Sequence, residues 1–171
     1  PCRMAGSHTD ITERKLAETE LLESRERLHL ALDAANAGVW EWDLYSQSNR
    51  WSNQLWRLYG LNPDSCEPSF DSWLQSVIPE DRAAVAAATK NAALSGAEIK
   101  IEWRVRDHDG STRWLMSRGR PLPDAEGRTR RYLGVAMDIT ERKNSELALR
   151  ESEVRYQALF ENINSGVAVY E

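Results

Sequence analysis

Two stretches of the chain carry apolar residues at helical spacing between charged flanks, and the segment separating them alternates apolar and polar positions as a sheet does. Residues 11–36 contain neither Pro nor Gly, and Leu21, Leu28, Leu32 and Ala35 form one stripe. A second stretch, 141–162, repeats the pattern with Leu149, Tyr156 and Phe160, continued at Ile163. Both are predicted to be amphipathic helices. Thr140 followed by Glu141 supplies an N-cap and a first-turn carboxylate for the second. The seven-residue recurrence 21, 28, 35 and 149, 156, 163 points to a short coiled coil.

In the alternating segment, Trp40, Trp42 and Leu44 share one face of a strand, and 50–52 pairs back on it after a polar turn. Ile99, Ile101, Trp103 and Val105 share one face of a third strand, with Lys100, Glu102, Arg104 and Arg106 on the other. Asp109-Gly110 supplies a tight turn. A fourth strand over 112–120 follows it, and a fifth over 130–138 places Leu133, Val135 and Met137 on one side. Helical segments at 53–59, 69–77 and 80–94 lie between the second and third strands; Gly60 stops the first and Ser95-Gly96 the last. The order predicts an α+β domain, a five-stranded antiparallel sheet with helices on one face.

The chain also repeats itself. Residues 1–43 align without a gap on 129–171, with 16 of 43 positions identical, among them the whole of Asp10-Ile-Thr-Glu-Arg-Lys15 against Asp138-Ile-Thr-Glu-Arg-Lys143. A fixed period marks tandem units. We therefore expect 1–10 to be the tail of a preceding unit, 11–36 a linker helix, 37–140 a complete core, 141–162 a second linker helix and 163–171 the start of a following unit.

Composition narrows the function. A net charge of −5 and a pI near 5.4 argue against nucleic acid and anionic lipid as partners, since both begin with neutralising phosphate. The longest wholly apolar run, 83–88, is far short of the roughly 20 residues that cross a bilayer. This segment is thus expected to make no membrane contact. Two cysteines, Cys2 and Cys66, build neither a disulfide framework nor a four-ligand zinc site and suggest a reducing, cytoplasmic setting.

Taken together, Gly38-x-Trp40-x-Trp42-Asp43, the helix-start cluster Ile78-Pro79-Glu80-Asp81-Arg82, Glu102-x-Arg104, Asp109-Gly110 with Trp114, and Gly134-x3-Asp138-Ile139-Thr140 resemble a PAS domain with its C-terminal PAC segment. The resemblance covers about residues 28–140. It implies a pocket between the sheet and the helical flank, and use as a sensory or dimerising input module. It also implies neighbouring PAS units and an output domain in the same chain, of the histidine kinase (two-component) or diguanylate cyclase type.

Candidate pocket residues are Trp40, Trp42, Trp73, Val85, Trp103 and Trp114. Their rings either stack on a planar ligand or simply fill the core. The Ala-rich helix 80–94 either leaves room for a small molecule or lets the helix approach bulky Trp. No cofactor is expected, with non-covalent flavin as the alternative. Haem is disfavoured because His8, His29 and His108 are badly placed for axial ligation, and Cys66 stands in Ser-Cys-Glu-Pro rather than the stretch a light-sensing flavin site needs. Asp107-His108-Asp109 reads as a solvated turn, not a metal site, and the Arg-rich strands as a cross-strand-paired face. No nucleophile is visibly partnered, so no catalysis is expected of this segment. Asp138, Ile139 and Thr140 join the last strand to a charged helix and form the candidate signal junction. The reading is a sensory or relay module acting through its flanking helices within a homodimer; the alternative is a ligand-free dimerisation spacer.

Overall fold

The computed structural model describes residues 12–107 and 109–167, with side chains through Phe160. The tail at 1–10 with Cys2 and His8, the hairpin residue His108, and the side chains of the following unit's start lie outside these residues. In chain order the elements are α1 (Thr12–Ala34), β1 (Ala37–Asp43), β2 (Asn49–Trp51), α2 (Asn53–Tyr59), α3 (Phe70–Ser76), α4 (Pro79–Ser95), β3 (Ile99–Arg106), β4 (Thr112–Pro123), β5 (Thr129–Asp138) and α5 (Thr140–Val167). Helix α1 belongs to a unit of its own, residues 1–36, and no residue in it is buried.

The second unit is built on a five-stranded antiparallel sheet in the order β2-β1-β5-β4-β3. The α+β fold class expected from the alternation is the one observed. The helix ends follow local chemistry. Ser69 and Ser72 form a reciprocal capping box at the start of α3. Pro79 opens α4, and Gly60 and Gly96 close α2 and α4 in the left-handed conformation.

One row across the sheet explains two glycines. Trp40 on β1 stands opposite Gly134 on β5, and Gly134 stands opposite Gly119 on β4. The Trp40 indole lies across both, so a Cβ at either position would fall inside the ring's van der Waals envelope. Small residues on β5 thus mark the core side. Tyr132, Gly134 and Ala136 face inward, whereas the expected trio Leu133, Val135 and Met137 faces away from the core, with Leu133 exposed.

Trp103, Tyr132, Leu55, Leu115, Val77 and Val105 are the largest of the fully buried side chains among the described residues. The Tyr132 hydroxyl lies 2.8 Å from the Ala92 carbonyl and 2.9 Å from the Ala97 carbonyl, one proton shared between two acceptors that flank the end of α4. On α4 itself only Val85 and Thr89 are buried, with Ala92 and Ala93 packed against the core; Ala83, Ala84, Ala87 and Ala88 face solvent.

Helix α5 departs from expectation at both ends. It begins with Thr140 rather than after it, and it continues to Val167, past the expected end at 162. Residues 165–167 are the register counterparts of 37–39. In β1 those residues pair with Met137, Ala136 and Val135 of β5. No such ladder forms for 165–167 among the described residues, and the helix runs on.

Candidate functional site

The sheet and the helices α2–α4 line a cavity walled by Trp40, Trp42, Trp73 and Trp103 of the expected residues. The other two lie elsewhere. Val85 is packed in the core one helical turn before the cavity-lining Thr89. Trp114 is not in the cavity, because β4 alternation sends Leu115 and Ser117 inward and leaves Trp114 on the opposite face. There the Arg104 guanidinium and the Lys143 ammonium lie 5.3 and 5.2 Å from its ring centroid. Sequence reasoning missed Trp51, Tyr59 and Phe70, which complete the aromatic wall. Trp51 ends the three-residue β2, Tyr59 ends α2 and Phe70 starts α3, and faces cannot be assigned to such short elements from periodicity.

The rings lock by edge-to-face contacts. Trp73 meets Trp103 at 5.6 Å and 88°, and Trp51 meets Tyr59 at 5.2 Å and 87°. The volume they leave is about 40 Å³. That is space for about three or four waters at roughly 10–15 Å³ each, against about 300 Å³ or more for a typical cofactor pocket. At this volume the cavity is smaller than a flavin or haem needs. Cys66, a free thiol, lies outside it between α2 and α3, where the Ser65 hydroxyl donates to its Sγ at 3.9 Å, and His29 lies on α1.

Polar groups in the cavity are unevenly satisfied. Trp40 Nε1 donates to Ser117 Oγ at 2.8 Å, and Ser117 Oγ donates in turn to the Val135 carbonyl at 3.2 Å. The Nε1 groups of Trp42, Trp73 and Trp103 and the Nδ2 of Asn49 are buried without an acceptor among the described residues. Each such orphan costs about 1–3 kcal/mol relative to a solvated donor. Burial also pushes the Tyr59 phenol well above its ordinary pKa, so it stays neutral.

The second site is the junction of β5 and α5. Asp138 Oδ1 accepts the Thr140 N–H at 2.8 Å. The Ile139 carbonyl accepts the Lys143 N–H, so Ile139 occupies the cap position expected of Thr140. The Thr140 hydroxyl does not cap the helix; it accepts the Trp114 N–H at 2.9 Å, while the Ile139 N–H donates to the Trp114 carbonyl at 2.9 Å. Both backbone groups of one β4 residue thus hold the start of α5. From β3, Glu102 reaches Arg142 and Lys143 at 2.7 Å each. The Lys143 hydrogen bond, then that of Arg142, holds the Glu102 carboxyl below its usual range.

Arg113 connects this junction to the cavity flank. Its guanidinium lies 3.5 Å from Asp138 Oδ2, pairs with Asp107, and donates to the carbonyls of Arg57 and Leu58 at the end of α2 at 3.3 and 3.5 Å. The next residue, Tyr59, lines the cavity. In the sequence Arg113 was indistinguishable from its basic neighbours. Of those, Arg131 pairs with Glu41 and Arg130 with Asp43 across β5 and β1, whereas Arg128 pairs with Asp124 and Glu126 within the turn between β4 and β5. Glu102 serves α5 instead. Asp81, which α4 places against β3, accepts hydrogen bonds from Nε and Nη2 of Arg104 and from the Arg104 N–H; the Arg104 guanidinium holds its carboxyl below the usual range. In the 107–111 turn, Asp109 Oδ1 accepts the Ser111 N–H. No group of three or more potential metal ligands occurs among the described residues, and no helix there is long and apolar enough to cross a membrane.

Known proteins are similar to this chain. A probable diguanylate cyclase of Escherichia coli is 30% identical over 158 residues, covering 92% of this chain and 14% of that protein. A blue-light-activated histidine kinase of Brucella ovis is 36% identical over 135 residues, covering 78% of this chain and 26% of that one. The chain therefore spans about a quarter or less of the length of these curated relatives. The crystal structure of a sensory box histidine kinase/response regulator from Burkholderia thailandensis superposes with a TM-score of 0.62 at 32% identity, covering 77% of this chain and 98% of that one. The PAS fold family matches residues 49–136, with the sheet order and helical flank described above. The chain belongs to the PAS fold family and is a sensory module of the kind found in signal-transduction proteins.

Proposed function

We propose that this module relays conformational change from its core, through Asp138, Ile139 and Thr140, into α5 and on to an output domain of the same chain. The observation that carries this reading is the double hold of Trp114 on Ile139 and Thr140, combined with Arg113 bridging Asp138 to the end of α2. A shift of α2 against the sheet moves the Arg113 guanidinium and with it Asp138. A junction of this kind has two arrangements available, fastened and released, and can convert a small displacement into reorientation of a helix. The histidine kinase and diguanylate cyclase relatives support an output domain of one of those types.

The same reading makes the chain part of a tandem array, with 37–140 as the core, 1–10 and 163–171 belonging to neighbouring units, and 11–36 and 141–162 as linker helices. It makes the active form a homodimer in the cytoplasm. In α5, Leu147, Leu149, Val154, Tyr156, Leu159 and Phe160 are exposed, and in α1 Leu21 and Leu28 are exposed with no residue buried. Isolated helices derive most of their stability from packing an apolar face, and a second copy supplies that packing. The free thiol of Cys66 fits a reducing compartment.

The test is output from the full-length parent protein. Thr140→Val is compared with Tyr132→Phe, a core change of similar stability cost away from the junction. The relay reading expects Thr140→Val to shift output several-fold while Tyr132→Phe leaves it near wild type. Equal effects would contradict it. The small volume of the cavity favours a second reading, a ligand-free dimerisation spacer. That reading expects output to follow dimer stability alone.

A further inference from the structure

The cavity holds an imbalance that packing does not explain. A Phe at position 42, 73 or 103 would supply most of the same apolar burial without a donor, and buried indole N–H groups ordinarily have partners. This chain does satisfy one indole on that face, Trp40, with Ser117. Yet Trp42, Trp73 and Trp103, 8%, 8% and 0% exposed, all bury N–H groups without acceptors, as does Asn49. All four wall one cavity. They are grouped in pairs: Trp42 and Asn49 are register partners across β1 and β2, and Trp73 and Trp103 are in edge-to-face contact.

We propose that this cavity is a binding site for a small acceptor-only anion, an acetate-sized carboxylate, held by the indole N–H groups of Trp42, Trp73 and Trp103 and the amide of Asn49. This rests on reading the module as a sensor. A carboxylate is the complement of such a wall, because it has about four acceptor sites and no donor to be left unpaired. The lining contains no Asp or Glu to repel it. The volume limits the ligand to a few heavy atoms. Neutral waters could occupy the same space, but each brings two donors into a wall that is already rich in donors.

The test is titration of the 171-residue chain with sodium acetate and, separately, sodium nitrate, read from the indole N–H signals in ¹H–¹⁵N spectra. Acetamide and sodium chloride serve as controls. The proposal expects saturable downfield shifts of the Trp42, Trp73 and Trp103 signals with Trp114, on the opposite sheet face, unmoved. Trp73→Phe should weaken binding about tenfold, the loss of one charge-assisted hydrogen bond, and Trp114→Phe should not. Saturation by acetate assigns a carboxylate; saturation by nitrate alone assigns an inorganic oxyanion and overturns the carboxylate. Absence of shifts with both, equal shifts with acetamide, or shifts that include Trp114 would overturn the site altogether. Such a failure leaves the relay untouched, since the relay is read from output in the parent protein.

Discussion

The hydroxyl of Thr140 accepts the backbone N–H of Trp114 at 2.9 Å, so the side chain of the first residue of α5 is bound to strand β4 rather than to its own helix. Thr140→Val keeps the shape and removes the acceptor. The half-buried Trp114 N–H then loses its partner, at a cost of about 1–3 kcal/mol. Urea unfolding of the variant should show that loss with an unchanged m value.

Arg113 should be the residue whose loss separates the two ends of the path. With Arg113→Gln, the tie between Asp138 and the end of α2 is cut while the hydrogen bonds of Trp114 remain. Amides of α2 and of the first turn of α5 should both exchange faster, with those of β3 near wild type. Protection unchanged at both places would show that Arg113 carries no coupling.

Acid should loosen the start of α5. The carboxyl of Glu102, hydrogen-bonded by Lys143 and then Arg142, has its folded pKa below the unfolded value of about 4.3. Its contribution is present above that value and is lost as pH falls below it through the folded pKa. Thermal stability should decline below about pH 4.3, and Glu102→Gln should remove part of that slope. Asp81, held by Arg104, contributes in the same direction. Salt should shrink the Glu102 effect, because the pair is partly exposed. A slope identical in the variant would assign the acid response elsewhere.

Gly134→Ala should cost about 1–3 kcal/mol by overpacking, since its Cβ meets the Trp40 ring and the Arg118 carbonyl. Replacing Trp40 by Leu in that background should recover part of the loss if the ring is the main obstacle. A double-mutant cycle with no interaction energy would contradict the packing of Trp40 over Gly134.

These residues also show how far the sequence could be read. Alternation in 99–105 identified both faces of β3, because a long strand repeats its pattern often enough to be unambiguous. The same logic grouped Leu133, Val135 and Met137 correctly yet gave no sign that they face outward. The inward side is made of Tyr132, Gly134 and Ala136, and smallness there is dictated by Trp40, which lies about ninety positions earlier. Trp114 read as a pocket residue because aromatic size predicts burial, whereas here cations and the start of α5 cover it. Asp138, Ile139 and Thr140 were legible as a junction from their place between strand and helix. What fastens them was not, since Arg113 and Trp114 come from a strand whose register only the folded sheet reveals.

The central claim is that the cavity and α5 are coupled, and native-state hydrogen exchange on the cavity variant Trp103→Leu tests it most directly. Trp103 is fully buried against Trp73 and Tyr59. Under conditions where global unfolding is negligible, the account expects faster exchange at Trp114, Ile139 and Lys143, whose N–H groups hold the junction. Faster exchange confined to the cavity walls, with those three amides at their wild-type rates, would contradict it.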